Sequence, residues 1–280
     1  MLVLGILDMI TLCFNSLLTG YLTIRGDVFC SNQSLIYYGG MFALGCWCAA
    51  CITTIILAFS RVVDVWKPRL AAFLFDGSKT WIWLLISLAY FIFFTFFTPP
   101  LLYTSRGYAL YFDPFVHIDG NLTKGHDYSN YPHTINNFLI IIILSLLYIL
   151  YFIMLFSRLK FNSNANSISS LQKDLFLQTS VIISFTYIAS IIYVYFNYFP
   201  AGNVLVILGQ ITWILSHSAS AISFLIFNKS IKRHIYEHYI PFAFKNIASK
   251  KTLPTGISIA TTNRTVPRHQ SAVVRNVVID

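Results

Sequence analysis

Six apolar stretches, each long enough to cross a bilayer as a helix, alternate with short polar segments along the chain. They fall at about residues 2–22, 37–59, 81–103, 134–156, 175–199 and 204–227. The second organises the rest. It is crowded with small residues: Gly39, Gly40, Gly45, Cys46, Cys48, Ala49, Ala50, Cys51 and Ala58. Small side chains let helix backbones approach closely in a membrane, so this span is predicted to be central rather than lipid-facing. It ends abruptly at Ser60-Arg61-Val62-Val63-Asp64-Val65-Trp66. Arg61 then reads either as a stop-transfer charge or as part of a switch at the water boundary.

Polar residues inside the other spans are few and patterned. Asp8, Thr11 and Asn15 recur at i, i+3, i+7 on one face of the first span. A carboxylate in a membrane helix must face the bundle, as a structural hydrogen-bonded acid or as a switch point. The last span is interrupted by Gln210, His217 and Ser216, Ser218, Ser220 and Ser223. His217 is open to two roles, a buried structural imidazole or a proton sensor. Trp81, Trp83 and Tyr103 bracket the third span as interface anchors do, and Pro99-Pro100 ends or kinks it.

Composition agrees with this pattern: 56% of the 280 residues are hydrophobic and only 10% are charged, against about 25% in a soluble domain. The chain opens directly in an apolar run with no basic leader, so no signal peptide is expected. The net charge is +9, and the tail from Lys229 onward carries nine Lys/Arg against Glu237 and Asp280. Such a tail reads as cytoplasmic, beside an anionic leaflet of the lipid bilayer, rather than as a nucleic-acid site. Arg61, Lys67, Arg69 and Lys79 mark the loop at 61–80 as cytoplasmic too, as do Arg158, Lys160 and Lys173 for the polar loop after the fourth span. The intervening loops hold the sequons Asn32-Gln33-Ser34 and Asn121-Leu122-Thr123, so Asn32 and Asn121 are the expected glycosylation sites. The sequons at Asn228 and Asn263 fall on the cytoplasmic side and should stay unused. After the last span, Ile231, Ile235 and Tyr239 share one face, which predicts an amphipathic surface helix at 228–240. A disordered tail is expected at 241–280.

Four stretches and the last span together resemble the nematode serpentine seven-helix chemoreceptors of class T, with the first helix absent from this chain. These are Leu7-Asp8, Phe59-Ser60-Arg61, the block Leu74-Phe75-Asp76-Gly77-Ser78-Lys79-Thr80-Trp81-Ile82-Trp83 and the block Tyr111-Phe112-Asp113-Pro114-Phe115. The last span resembles the family's seventh helix, with Trp213, His217 and the exit Phe227-Asn228-Lys229-Ser230-Ile231-Lys232. The resemblance implies an all-α, GPCR-like bundle in the plasma membrane of sensory neurons. Such a receptor takes a small-molecule ligand in its outer half and signals to a heterotrimeric G protein. It assigns Arg61 and Asp8 to the activation switch and places Cys30 like a receptor disulfide cysteine, although the 104–133 loop holds no cysteine to pair with it.

Other functions fit less well. A six-span transporter or channel subunit should show an internal repeat or paired midplane charges, and only Asp8 and His217 qualify. A non-functional truncated receptor is a further alternative. Cys48 and Cys51 share a helix face, as a redox or metal site would need, but sit in a small-residue packing stripe. His117, His126 and His133 match no standard metal-ligand spacing. No catalytic residues, metal or cofactor are expected.

Overall fold

A computed structural model describes residues 2–116, 127–161, 170–199, 201–227 and 232–234. Its elements are helices α1 (Leu2–Leu12), α2 (Thr19–Arg25), α3 (Gln33–Trp66), α4 (Pro68–Phe75), α5 (Thr80–Phe96), α6 (Tyr131–Phe161), α7 (Ser170–Tyr198) and α8 (Asn203–Phe227), with strands β1 (Leu102–Thr104) and β2 (Ala109–Tyr111). A π-helical turn, Cys13–Leu18, joins α1 to α2, so the pair forms one span, Leu2–Arg25. Six helical segments among the described residues are long and apolar enough to cross a membrane.

The small-residue helix takes the centre. In the most apolar window of α3, 67% of residues are buried, against 17% in the α5 and α6 windows. α3 packs against α1, α5, α6 and α7, while α8 packs against α7 and α1. The physical reason is visible at Gly45, where an added Cβ would lie 1.9 Å from Thr95 Oγ1 on α5. Only hydrogen fits there, and the two backbones close on each other. The outer faces of the peripheral helices are apolar, as Trp81, Ile82, Leu85 and Leu88 of α5 illustrate.

The third span differs from its expected extent of 81–103. Its helix stops at Phe96, and the chain then turns into the β1–β2 hairpin, with Leu102 opposite Tyr111 and Thr104 opposite Ala109. Pro99 and Pro100 offer no backbone N–H, and a residue before proline avoids helical angles, so the helix cannot continue. The loop expected at 104–133 is therefore partly strand, and its end is already helix: His133 lies in the first turn of α6. The carboxylate of Asp127, just before α6, is held below its usual range first by Ser129 and then by Tyr131.

At the opposite end, α3 runs on through Arg61 to Trp66, and the expected loop at 61–80 is largely helical. Gly77 there has φ +62, which glycine adopts freely. Trp83 Nε1 donates to the Leu74 carbonyl at 3.0 Å and its ring stacks on Phe75 at 5.2 Å. The Leu74–Trp83 block thus folds the tight turn into α5.

One compact unit, ending at Arg233, contains all six spans. Asn121, His117 and His126 lie outside the described residues, as do Asn228, Asn263 and nearly all of the expected surface helix and tail. Of that helix, Lys232–His234 are described; they are helical and exposed.

Candidate functional site

The hairpin roofs a cavity of about 390 Å³ between α3, α6, α7 and α8. Trp47 reaches it from α3, His133 from α6, Tyr193 and Phe196 from α7, and Val206 and Trp213 from α8. The hairpin contributes Leu110, Tyr111, Phe112 and Asp113. The rings brace one another: Trp47 meets Trp213 edge-on at 6.2 Å, and Tyr193 meets Trp213 at 5.8 Å. Aromatic walls with a few fixed polar groups are what small-molecule pockets offer. Burial raises the Tyr111 phenol above its usual range, so it stays a neutral group, donating to the Gly107 carbonyl at 3.2 Å. The Asp113 carboxylate accepts from the Phe115 N–H at 2.9 Å.

From Trp213 a hydrogen-bonded chain leads deeper. Its indole N–H donates to His217 Nε2 at 3.1 Å. An indole nitrogen only donates, so Nε2 must accept, and the imidazole proton sits on Nδ1. That proton faces Asp8 Oδ1 at 2.8 Å, and the Ser220 hydroxyl donates to Asp8 Oδ2. Asp8 and His217 are 4% and 2% exposed, so nothing from water replaces either partner. The acid of the first span and the imidazole of the last, 209 residues apart, therefore form one site. Trp47 lies across its top, 5.6 Å from the His217 ring.

Gln210 and Asn15 also meet, through the backbone. Gln210 Nε2 donates to the Asn15 carbonyl at 2.7 Å. Asn15 sits in the π turn, whose wider pitch offers that carbonyl to a neighbouring helix. The Asn15 side-chain amide is fully buried and has no partner among the described residues.

Arg61 stands apart. Asp8 shares a small void with Thr54, and Arg61 is seven residues farther along α3, about 10 Å by helical rise. Its side chain lies half-buried among Tyr148, Tyr151 and Thr179 of α6 and α7, and its buried Nε has no hydrogen-bond partner among the described residues. Asn32 is partly exposed at the start of α3, near the hairpin end.

Several cavity residues escape the sequence pattern. His133 lies on α6 and belongs to the cavity wall. The available signal was His133 and Asn137 at i, i+4, two polar residues on one face of an apolar span. Trp47 resembles any core aromatic until the fold sets it beside Trp213. Cys30 is a free, exposed thiol. The hairpin is held without it: Ser105 N–H donates to the Asp27 carbonyl at 3.0 Å and Asn130 Nδ2 to the Pro99 carbonyl at 2.8 Å. Buried Tyr103 shares a hydroxyl contact with Thr23.

Six apolar spans around an aromatic cavity, with a polar chain running from its floor into the bundle, define a multi-pass membrane protein of the receptor type. The chain belongs to the serpentine type 7TM GPCR chemoreceptor Srt family, whose profile matches residues 1–248. It is 25% identical over 233 residues to serpentine receptor class T-55 of Caenorhabditis elegans, a match that covers 83% of this chain and 62% of that relative. The chain thus spans less than two thirds of that receptor's length. The fold is the seven-transmembrane, GPCR-like bundle of the family, with six membrane-length apolar helices among the described residues.

Proposed function

We propose that this chain is a chemoreceptor that binds a small environmental chemical in the aromatic cavity and signals to a heterotrimeric G protein. The hairpin end faces outward at the plasma membrane of a sensory neuron, and the Arg61 end and basic tail face the cytoplasm. The observation that carries this reading is the position of Trp213. It is at once a wall of the cavity and the first link of the chain to His217 and Asp8. A ligand that moves the Trp213 ring alters the hydrogen bond at His217 Nε2, and with it the contact between α8 and α1. A ligand shifts a conformational equilibrium only by its differential affinity for the two states. One neutral hydrogen bond made in one state and not the other is worth about 1 kcal/mol, or roughly a fivefold shift. The inner ends of α3, α6 and α7, which meet around Arg61, are the surface that such a shift would open to the G protein.

The test is expression of the chain in a heterologous cell with a G-protein reporter and a panel of small environmental chemicals. Ligand-dependent G-protein activation is expected. Trp213→Phe keeps a ring in the cavity but removes the donor, so binding should persist while the response falls. Arg61→Ala should reach the surface and stay silent. A surface-expressed Arg61→Ala that signals normally, or a ligand-gated current without G-protein activation, would overturn the reading.

A further inference from the structure

The protonation pattern around Asn137 fixes what the cavity offers a ligand. Trp47 Nε1 meets Asn137 Oδ1 at 3.2 Å, and Asn136 Nδ2 meets the same atom at 3.2 Å. An indole N–H has no acceptor capacity, so the atom it faces is the amide oxygen, and the orientation of Asn137 is determined. The other end of that amide, Nδ2, lies 3.3 Å from His133 Nε2. An amide nitrogen also only donates, so His133 Nε2 must present its lone pair. This excludes the imidazolium, in which both nitrogens carry protons. His133 is therefore neutral, with its proton on Nδ1.

That proton has no taker among the described residues. His133 is 4% exposed, and its Nδ1 is buried without a hydrogen-bond partner there. A buried unpaired donor is costly, and native interiors avoid it unless something else fills the role. His133 lines the cavity, and the Phe112 ring, which also lines it, packs against the imidazole at 5.2 Å. The indole donors are committed: Trp47 to Asn137 and Trp213 to His217. Both tryptophans thus give the ligand ring surface alone. The carboxylate of Asp113 on the wall opposes an anionic ligand.

We infer that the cavity selects mainly apolar molecules without an anionic group that carry one oxygen acceptor of the carbonyl, ester or ether type, and that His133 Nδ1–H is the group that reads that oxygen. Nδ1 is covered, so a side chain beside it has to move for the oxygen to arrive. This rests on the reading of the cavity as the ligand site, and it adds the ligand's chemistry and the specificity-determining residue.

The test uses the full chain, purified in lipid nanodiscs, and reads binding by quenching of tryptophan fluorescence. The probes are C6–C8 ketones and methyl esters, each with the alkane and the carboxylate of equal length. Ketones or esters should bind saturably and more tightly than the alkanes, and the carboxylates should not bind. His133→Phe should weaken the ketones by roughly tenfold, the loss of one hydrogen bond, and leave the alkanes unchanged. His133→Gln, which restores a donor, should recover part of that loss. In wild-type protein with ¹⁵N-labelled histidine, two rings, His133 and His217, should show Nδ1 protonated and Nε2 bare, and the ring whose Nδ1–H has no protein acceptor among the described residues should shift on adding ketone but not alkane. That measurement needs no variant to fold. Equal binding of ketone and alkane, preferred binding of carboxylate, no binding of any probe, or an Nε2-protonated His133 each overturns the inference. Ketone binding with no G-protein activation in cells instead removes the signalling reading and leaves the cavity chemistry standing.

Discussion

At Asp8 one carboxylate serves both His217 and Ser220, and the donor chemistry of Trp213 determines which imidazole nitrogen it meets. Removing the carboxylate leaves His217 Nδ1–H without a partner in a dry bundle. Hydrogen bonds between membrane helices are worth about 0.6 kcal/mol on average and up to about 1.7 kcal/mol. This one joins a buried acid to an imidazole with both nitrogens engaged, so it belongs at the upper end. Asp8→Ala should therefore destabilise the bundle by about 1–2 kcal/mol, and Asp8→Asn, which keeps an acceptor for Nδ1–H, by less. A double-mutant cycle of Asp8→Ala with His217→Ala, read by unfolding in detergent, should show a coupling of about 1 kcal/mol. Additive losses would mean that the two residues act separately. Asp8 and His217 each stand out in the sequence as polar residues in apolar spans. Their pairing does not, because 209 residues separate them and only the packing of α8 on α1 joins them.

Among the elements, the β1–β2 hairpin depends on α3 more than on any covalent link. A Cβ added at Gly40 would lie 1.5 Å from the Leu101 carbonyl oxygen, which is backbone and cannot swing away. Gly40→Ala should push the hairpin off the helix and open the cavity, at a cost of about 1–3 kcal/mol or more. Gly20→Ala is the matched control. Nothing lies within 4 Å of its added Cβ, and in a helix alanine is preferred to glycine by about 1 kcal/mol, so that variant should be neutral or stabilised. Thermal unfolding of the pair checks both. Cys30→Ser should leave the midpoint unmoved, with or without reductant, because the backbone and side-chain bonds to Asp27, Thr23 and Asn130 carry the attachment. A reductant-dependent fall in the wild type, absent from Cys30→Ser, would show that a bridge contributes. The small-residue stripe made the centrality of α3 legible in the sequence, since close approach needs hydrogen or methyl groups wherever it occurs. The hairpin was hidden. An apolar run through Leu101-Leu102-Tyr103 looks like helix by hydropathy, and the two prolines mark where the helix ends without specifying a strand pair beyond them.

For the whole molecule, the six apolar runs in the sequence match the six membrane-length apolar helices among the described residues, because length and hydropathy are what a bilayer-crossing helix requires. The cavity was not legible in the same way. Its wall combines residues from α3, the hairpin, α6, α7 and α8, and no local pattern encodes that convergence. Orientation in the membrane rests on charge. Among the described residues the basic side chains gather at the Arg61 end, with Arg61, Lys67, Arg69 and Lys79, while the hairpin end carries Asp27, Asp113 and Asp127 against Arg25 and Arg106, together with the sequon at Asn32. In the proposed function the positive-inside rule predicts that the cavity mouth faces outward and the Arg61 end inward. Glycosylation is confined to the lumenal side, so it reports this directly. In microsomes the wild type should carry glycan that is lost on Asn32→Gln, on Asn121→Gln or only on both. Asn228→Gln and Asn263→Gln should change nothing. Asn32 sits at the junction of loop and α3, so its use also measures how far α3 stands clear of the membrane surface. Glycan on Asn263 with none at Asn32 or Asn121 would invert the bundle, close the cavity to outside chemicals and remove the basis for a receptor that signals inward.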